Sequence, residues 1–299
     1  MTDASPQSAS TASGSPNSAP RRRLALVTGA SAGIGAAFAR KLAARGYDLA
    51  LTARRRDRME ELSASLEKAY GAKSVVVEAD LADPAAPDAI FEAATADGRA
   101  IDALVNNAGY GQPGFFQDAP WETHRDFLNV MVTAYAHLAH LVLPGMLARR
   151  FGRIINVASL AGLAPGSQGA TLYGASKAFL ISFTQSLSAE TKGTGVRASA
   201  VCPGFTRSEF HDVTGSREVV DALPQALWSS AAEVAEQALD AADRDQTVFI
   251  PGAVNKAIAG LVRLTPTGLA EELARRQSKR YRYMGPRSAQ PSKGSDTGG

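Results

Sequence analysis

The feature that most constrains the fold is an alternation of short apolar runs with longer segments of helical character, from residue 24 to about residue 252. The apolar runs are LALVT (24–28), DLALTA (48–53), SVVVEAD (74–80), IDALVNNAG (101–109), RIINVAS (153–159), VRASAVCPG (196–204) and TVFIPG (247–252). Short apolar runs that alternate with helices indicate a parallel sheet covered by helices on both faces.

Helices are predicted between these runs, at 33–46, 56–71, from about Pro84, at 121–150, at 171–192 and near 231–242. The sequence therefore predicts one α/β domain over residues 23–285, built on a doubly wound, Rossmann-type parallel sheet. The flanking residues 1–22 and 286–299 are rich in Ser, Pro and Gly. They are predicted to be disordered tails, because such segments bury too little apolar surface to offset their ordering entropy.

Composition argues against several classes of protein. A formal net charge of +3 on 299 residues is not the basic surplus of a nucleic-acid-binding protein. The single cysteine, Cys202, rules out a disulfide framework within the chain, and no metal site is expected from the scattered histidines. The N-terminus lacks the apolar core of a secretory signal, and no uninterrupted apolar run reaches the ~20 residues that cross a bilayer. A cytoplasmic protein is therefore expected.

A glycine-rich turn, Thr28 to Gly35, lies directly between the first strand and the first helix. Gly29 permits the tight turn, Gly33 lets a pyrophosphate approach the backbone, and Gly35 lets the helix pack closely on the sheet. The N-terminus of the helix favours the negative charge of phosphate. This strand–turn–helix context predicts a dinucleotide site rather than a merely tight turn.

The end of the second strand indicates which dinucleotide is bound. An NAD enzyme usually places an acidic residue there to hold the ribose 2′-hydroxyl, but this chain continues with Arg54, Arg55 and Arg56. Guanidinium groups suit a 2′-phosphate, so NADP(H) is the predicted cofactor, with Arg54 and Arg55 as the contacts. The alternative is that these arginines only form a solvated helix start.

The chemistry is predicted to come from Tyr173 and Lys177, which lie on one helix face if residues 171–192 are helical. A neighbouring cation stabilises a phenolate, and a tyrosine tuned in this way can exchange a proton with a carbonyl oxygen. Ser159 ends the strand RIINVAS, where a hydroxyl faces the crevice at the carboxyl end of a parallel sheet.

These motifs resemble the classical short-chain dehydrogenase/reductase family, in the glycine spacing Gly-x-x-x-Gly-x-Gly and in the order of the segments from residue 24 to about 252. The resemblance implies the catalytic residues Asn129, Ser159, Tyr173 and Lys177, with Asn129 breaking its helix and anchoring a water to the lysine. It implies a homodimer or homotetramer. The implied cofactor contacts are Gly29, Ser31, Ala32, Gly33, Ile34, Gly35, Arg54, Arg55, Asp80, Leu81, Asn107, Ala108, Gly109, Tyr173, Lys177, Pro203, Gly204 and Thr206.

The predicted activity is hydride transfer between NADP(H) and a ketone or aldehyde. In the family the loops after the fourth, fifth and sixth strands form the substrate pocket, and here they offer an apolar lining that suits a 3-oxoacyl, steroid-like or other hydrophobic carbonyl. The lining candidates are Phe115, Phe116, Leu160, Leu163, Leu172, Phe205 and Phe210. The alternative is a non-catalytic, NADP(H)-sensing module on the same fold.

The stretch from Leu261 to Tyr283 places leucines before a group of basic residues. Such a pattern fits a membrane-surface helix, or a C-terminal helix packed beside the substrate cleft. The second interpretation is favoured, so the expected partner is a small-molecule substrate, without nucleic acid or membrane.

Overall fold

The computed structural model describes residues 21–166, 168–207, 225–265, 268, 269 and 272, and a parallel sheet forms the centre of this part of the chain. The strands are β1 (Arg23–Thr28), β2 (Tyr47–Ala53), β3 (Ser74–Glu78), β4 (Ile101–Asn106), β5 (Gly152–Val157), β6 (Val196–Val201), β7 (Phe205–Arg207), β8 (Trp228–Ser230) and β9 (Val248–Phe249). Seven of them pair in the order β3-β2-β1-β4-β5-β6-β9, and β7 pairs with β8 separately. The predicted Rossmann-type fold is confirmed.

The helices follow the strands in chain order. They are α1 (Gly33–Ala44), α2 (Arg56–Tyr70), α3 (Ala86–Thr95), α4 (Trp121–Leu128), α5 (Ala134–Arg149), α6 (Thr171–Glu190), α7 (Ala231–Asp243) and α8 (Ala253–Leu264). A π-helical turn, Asn129–Thr133, joins α4 to α5. The predicted long helix over 121–150 therefore contains a change of hydrogen-bonding pattern at Asn129.

Two apolar layers cover the sheet. One contains buried residues of α1, α2 and α7, and the other contains buried residues of α3, α4 and α5 with Leu187 of α6. The inner strands β1, β2, β4, β5 and β6 are almost wholly buried, as in β2, where Leu49, Ala50 and Leu51 are all inaccessible to solvent. This burial explains why the strands read as continuous apolar runs rather than as alternating ones.

The element boundaries differ from the sequence prediction at several positions, and the fourth and sixth strands, like the third, end earlier than predicted. The helix expected from about Pro84 begins at Ala86, with Pro87 in its first turn, where a missing N–H costs nothing. The third strand ends at Glu78. The helix α8 was not predicted, and it ends at Leu264, so most of the segment from Leu261 to Tyr283 lies outside the described residues.

One helical run among the described residues, Trp121–Arg149, is long and apolar enough to cross a bilayer by length and composition. The core helix of a globular domain passes the same test. Here 44% of the most apolar window is buried inside the fold, and Phe127, Tyr135 and Leu138 are inaccessible to solvent. The apolar character of this run is thus used in packing.

Most of the two predicted tails lies outside the described residues. Arg22, at the end of the first, is described: its guanidinium donates to the carbonyl oxygens of Tyr70, Ala43 and Tyr47 and pairs with Asp48 at 3.2 Å. These contacts fix the approach to β1.

Candidate active site

A cleft of about 620 Å³ opens at the carboxyl ends of the central strands. The strand order reverses between β1 and β4, which pair in parallel. The loop after β1 and the loop after β4 therefore lead to opposite sides of the sheet, which leaves a crevice between them. The predicted site residues that line the cleft are Gly29, Ser31, Ala32, Gly33, Ile34, Arg54, Arg55, Asp80, Leu81, Asn107, Ala108, Gly109, Ser159, Tyr173, Lys177, Pro203, Gly204 and Thr206. Gly35 and Asn129 are the two predicted residues that do not line it.

The glycine turn has the backbone geometry that its sequence predicted. Gly29 and Gly33 have φ values of 67° and 54°, a region that other residues rarely adopt. Gly35 lies behind the cleft, and a Cβ atom there would be 2.2 Å from the carbonyl oxygen of Gly29. Gly35 therefore permits close packing, while the turn itself faces the cleft.

The start of α1 fits a phosphate group. Among the described residues no side chain caps this helix, whose N-cap residue is Ala32. Its first N–H groups therefore lack the usual intramolecular acceptor, and they carry the positive end of the helix dipole. The arrangement suits the pyrophosphate of a dinucleotide.

Thr28 and Asn107 hold the ends of β1 and β4 together beneath the turn. The Thr28 hydroxyl accepts hydrogen bonds from the backbone N–H groups of Asn107 and Ala108 at 2.9 and 3.0 Å. The side-chain amide of Asn107 donates to the carbonyl oxygen of Thr28 at 2.9 Å. Thr28 was not among the predicted site residues, although its place as the last residue of the first strand was the available signal.

The arginines after β2 lie at the solvent side of the glycine turn. Arg55 Nη2 and Nε donate to the Ser31 hydroxyl at 3.1 and 3.3 Å. Arg54 Nη1 lies 3.9 Å from Asp80 Oδ2, and both side chains are more than half exposed. The rim of the cleft thus carries two guanidinium groups, the Ser31 hydroxyl and the Asp80 carboxylate. Arg56 instead pairs with Glu60 along α2.

The predicted chemical residues Ser159, Tyr173 and Lys177 meet at the inner end of the cleft. Ser159, which follows β5, shares a side-chain hydrogen bond with Tyr173 and accepts one from the N–H of Ala161 at 3.2 Å. Lys177 lies one helical turn beyond Tyr173 on α6, with its Nζ 5.8 Å from the centre of the tyrosine ring. That Nζ donates to the carbonyl oxygen of Val157 at 2.8 Å.

Burial dominates the electrostatics of this group. Desolvation raises the pKa of Tyr173, and the hydrogen bond from Ser159 opposes that shift. Desolvation also lowers the pKa of Lys177 to about 7. Both shifts favour the uncharged form, because a buried charge loses its hydration. The sequence predicted a tyrosine pKa lowered by the lysine, whereas in this structure desolvation raises it and the opposing contribution comes from the Ser159 hydrogen bond.

Asn129 lies outside the cleft. Its side-chain amide donates to the carbonyl oxygen of Ala82 at 2.9 Å, and its own carbonyl accepts from the N–H of Ala134 in the π-helical turn. Ala82 follows Asp80 and Leu81, which do line the cleft. The helix is irregular at Asn129 as expected, but the side chain is directed to the loop after β3.

The predicted apolar lining is present in part. Leu160 and Phe205 line the cleft, and Phe210 lies outside the described residues. Leu163 and Leu172 pack against core clusters, and Phe116 stacks on His124 with ring centres 4.4 Å apart. Two further lining residues were not predicted from the sequence. Tyr110 lies in the loop after β4, and Val130 lies in the π-helical turn.

The chain is similar to proteins of known family. The family model for short chain dehydrogenase matches residues 23–218. Nodulation protein G of Rhizobium sp. (strain N33) is 37% identical over 219 residues, which are 71% of this chain and 86% of that protein. Very-long-chain 3-oxoacyl-CoA reductase of Anas platyrhynchos is 35% identical over 196 residues, or 64% of this chain and 62% of that one.

Solved structures show the same similarity. A short-chain dehydrogenase from Sphingobium yanoikuyae in complex with NADPH is 33% identical, with a TM-score of 0.72, over 91% of this chain and 98% of that chain. A short chain dehydrogenase/reductase from Burkholderia phymatum in complex with NAD is 27% identical, with a TM-score of 0.73, over 85% of this chain and 95% of that chain. The similarity extends through the strands that carry the cleft.

Proposed function

This chain belongs to the short-chain dehydrogenase/reductase family, whose members are oxidoreductases with a nicotinamide dinucleotide site, and we propose that it is an NADP(H)-dependent reductase of a hydrophobic ketone or aldehyde. The observation that carries the proposal is the meeting of Ser159, Tyr173 and Lys177 at the inner end of a cleft whose other end has the geometry of a dinucleotide site. The fold alone would not support a reaction, since fold does not determine function.

The preference for NADP(H) rests on the rim of the cleft. Arg54 and Arg55 follow β2, where an acidic residue would hold the 2′-hydroxyl of NAD, and Arg55 already bonds Ser31 of the glycine turn. A 2′-phosphate between these groups would accept charge-assisted hydrogen bonds. One of the two related structures holds NADPH and the other holds NAD. The preference for NADP(H) is therefore based on the two arginines.

The roles of the inner residues follow from their geometry. When bound, the nicotinamide supplies the hydride that reduces the carbonyl carbon. The Ser159 hydroxyl orients the carbonyl oxygen, and Tyr173 donates the proton to that oxygen. Because the pKa of Tyr173 is raised, the phenol keeps its proton at neutral pH, which is the state that reduction requires. Lys177, beside the tyrosine ring, stabilises the phenolate that is left.

The apolar walls favour a substrate with a hydrocarbon body. Val130, Leu160 and Phe205 line the cleft near Tyr173, and Phe205 packs against Trp228 with ring centres 5.8 Å apart. A 3-oxoacyl or steroid-like carbonyl would bury apolar surface there, and each buried methylene contributes about 0.8 kcal/mol.

We also propose a homodimer or homotetramer in the cytoplasm. Phe179 and Phe183 stack on the outer side of α6 with ring centres 5.7 Å apart, and Phe179, Leu147 and Trp121 are exposed. A contiguous patch of such side chains would be typical of an interface between copies. Light scattering of the purified protein tests the assembly.

Cys202 is buried and unpaired, which suits a reducing compartment.

The deciding experiment measures NADPH and NADH oxidation with a panel of hydrophobic ketones, aldehydes and 3-oxoacyl esters, with Tyr173→Phe alongside. Turnover with NADPH that falls by about 10³-fold in Tyr173→Phe, at unchanged NADPH affinity, is the expected result. Tight NADPH binding without turnover on any member would favour the sensing module instead. Failure to bind either dinucleotide would overturn the proposal.

A further inference from the structure

Tyr135, near the start of α5, connects the two halves of the site although it does not line the cleft. It is inaccessible to solvent, and its hydroxyl donates to the carbonyl oxygen of Ala108 at 2.8 Å. The Lys177 Nζ lies 5.7 Å from the centre of its ring. Since this Nζ is also 5.8 Å from the centre of the Tyr173 ring, the ammonium faces two aromatic rings.

We propose that Tyr135 is a positioning residue: its ring face holds the Lys177 ammonium at the inner end of the cleft, while its hydroxyl fixes the Ala108 carbonyl of the nucleotide-binding segment. This inference rests on the proposed function and assigns a role to a residue that the family motifs do not contain.

The face of the Tyr135 ring offers the Lys177 ammonium an attraction that partly replaces the hydration lost on burial. Lys177 is only 4% exposed, and the oxygen that it bonds is the neutral carbonyl of Val157. Within the part of the chain that the structure describes, the titratable groups that face it are Tyr135 of α5, Tyr173 of α6 and Cys202 after β6, and burial raises the pKa of each. All three are therefore uncharged at neutral pH, so the negative faces of the two rings add to the attraction that the Val157 carbonyl exerts on the ammonium.

The hydroxyl of Tyr135 acts on the other half of the site. Ala108 has its N–H bonded to Thr28 and its carbonyl bonded to Tyr135, so both of its backbone polar groups are fixed. The backbone carbonyl of Tyr135 in turn accepts from the Asn106 amide at 3.1 Å, which ties the start of α5 to the end of β4. Tyr135 thus sets the distance between the segment 107–109 and Lys177.

The ring is tested by the pKa of Lys177, measured by NMR on protein with ¹³Cε-labelled lysine, with Lys177→Met to assign the signal. Phenylalanines carrying one to three fluorine atoms, incorporated at position 135, keep the ring shape but withdraw electrons from its face. We expect the pKa of Lys177 to fall with each fluorine, and to fall by about 1 in Tyr135→Leu. Tyr135→Phe keeps the ring and should leave that pKa unchanged. Phe38→Leu, which removes a fully buried ring from α1, is the matched control.

An unchanged Lys177 pKa across the fluorinated series overturns the role of the ring, and this readout stands even if Tyr135→Leu does not fold. For the hydroxyl, Tyr135→Phe should weaken NADPH binding by about fivefold, because the Ala108 carbonyl loses its donor. Unchanged binding overturns that half of the proposal. The lysine titration needs neither NADPH nor a substrate, so a wild-type protein that binds no dinucleotide would refute the proposed function without touching the result for Lys177.

Discussion

The two ends of the cleft use charge in opposite ways. At the inner end, Lys177 is buried and Ser159 and Tyr173 are half-buried, and desolvation shifts the pKa values of Tyr173 and Lys177 toward their neutral forms. At the outer end, Arg54 and Asp80 are 71% and 52% exposed and lie 3.9 Å apart. An exposed pair of this kind contributes at most about 1 kcal/mol, because water screens it. In the proposed function, groups at the desolvated inner end carry the chemistry and exposed ones select the dinucleotide.

The largest expected difference between the two ends is the effect of the buried Lys177 on the free energy of unfolding. Its pKa is about 7 in the folded protein, whereas the ordinary value for a lysine is 10.5. Between these values the unfolded chain binds the proton and the folded one does not, so stability rises with pH across that window. Below about pH 7 the full cost of the buried ammonium is present, at most about 5 kcal/mol. Above pH 10.5 it is gone.

Lys177→Met removes this cost while keeping an apolar side chain of similar length. The variant should unfold at a higher urea concentration than the wild type at pH 7, and the gap should close as the pH approaches 10. The pKa of Cys202 is raised to about 12, so the thiol stays neutral across the window in both proteins. A gap that does not change with pH would mean that Lys177 is not desolvated as described.

The outer end should give a smaller, salt-dependent effect that is specific to the phosphate. Arg55→Ala should weaken NADPH binding by about tenfold and leave NADH binding unchanged, because one charge-assisted contact is lost. The effect should shrink at high ionic strength. Arg56→Ala is the matched control, since Arg56 is the next residue and pairs with Glu60 instead. Equal losses for NADPH and NADH would show that Arg55 only supports the glycine turn.

The difference between the two ends also explains what the sequence could predict. The glycine turn, the arginines after β2 and the pair Tyr173 and Lys177 are local patterns, and the structure brings them to one cleft. The contacts of Tyr135 and Asn129 were beyond the sequence, because each joins positions that are distant in the chain. The sign of the Tyr173 shift was missed for the same reason. A neighbouring lysine can be read from a spacing of four residues, but burial depends on the whole fold.

Asn129 gives the smallest expected effect and separates two roles. The family resemblance implies a proton relay through a water on Lys177, which predicts that Asn129→Ala lowers kcat by about 10²-fold or more. In the structure the Asn129 amide holds the Ala82 carbonyl, beside the cleft residues Asp80 and Leu81. Loss of that one hydrogen bond predicts a rise of about threefold to tenfold in KM for NADPH, with kcat nearly unchanged.

We expect the second result, measured as separate kcat and KM values for Asn129→Ala across pH 6 to 9. Asn129→Asp is the informative partner variant, because a carboxylate cannot donate to the Ala82 carbonyl but can still hold a water. It should therefore behave like Asn129→Ala if the amide braces the loop. A recovered kcat in Asn129→Asp, after a large loss in Asn129→Ala, would instead place Asn129 in the proton path. Asn129 would then belong with the residues at the inner end of the cleft.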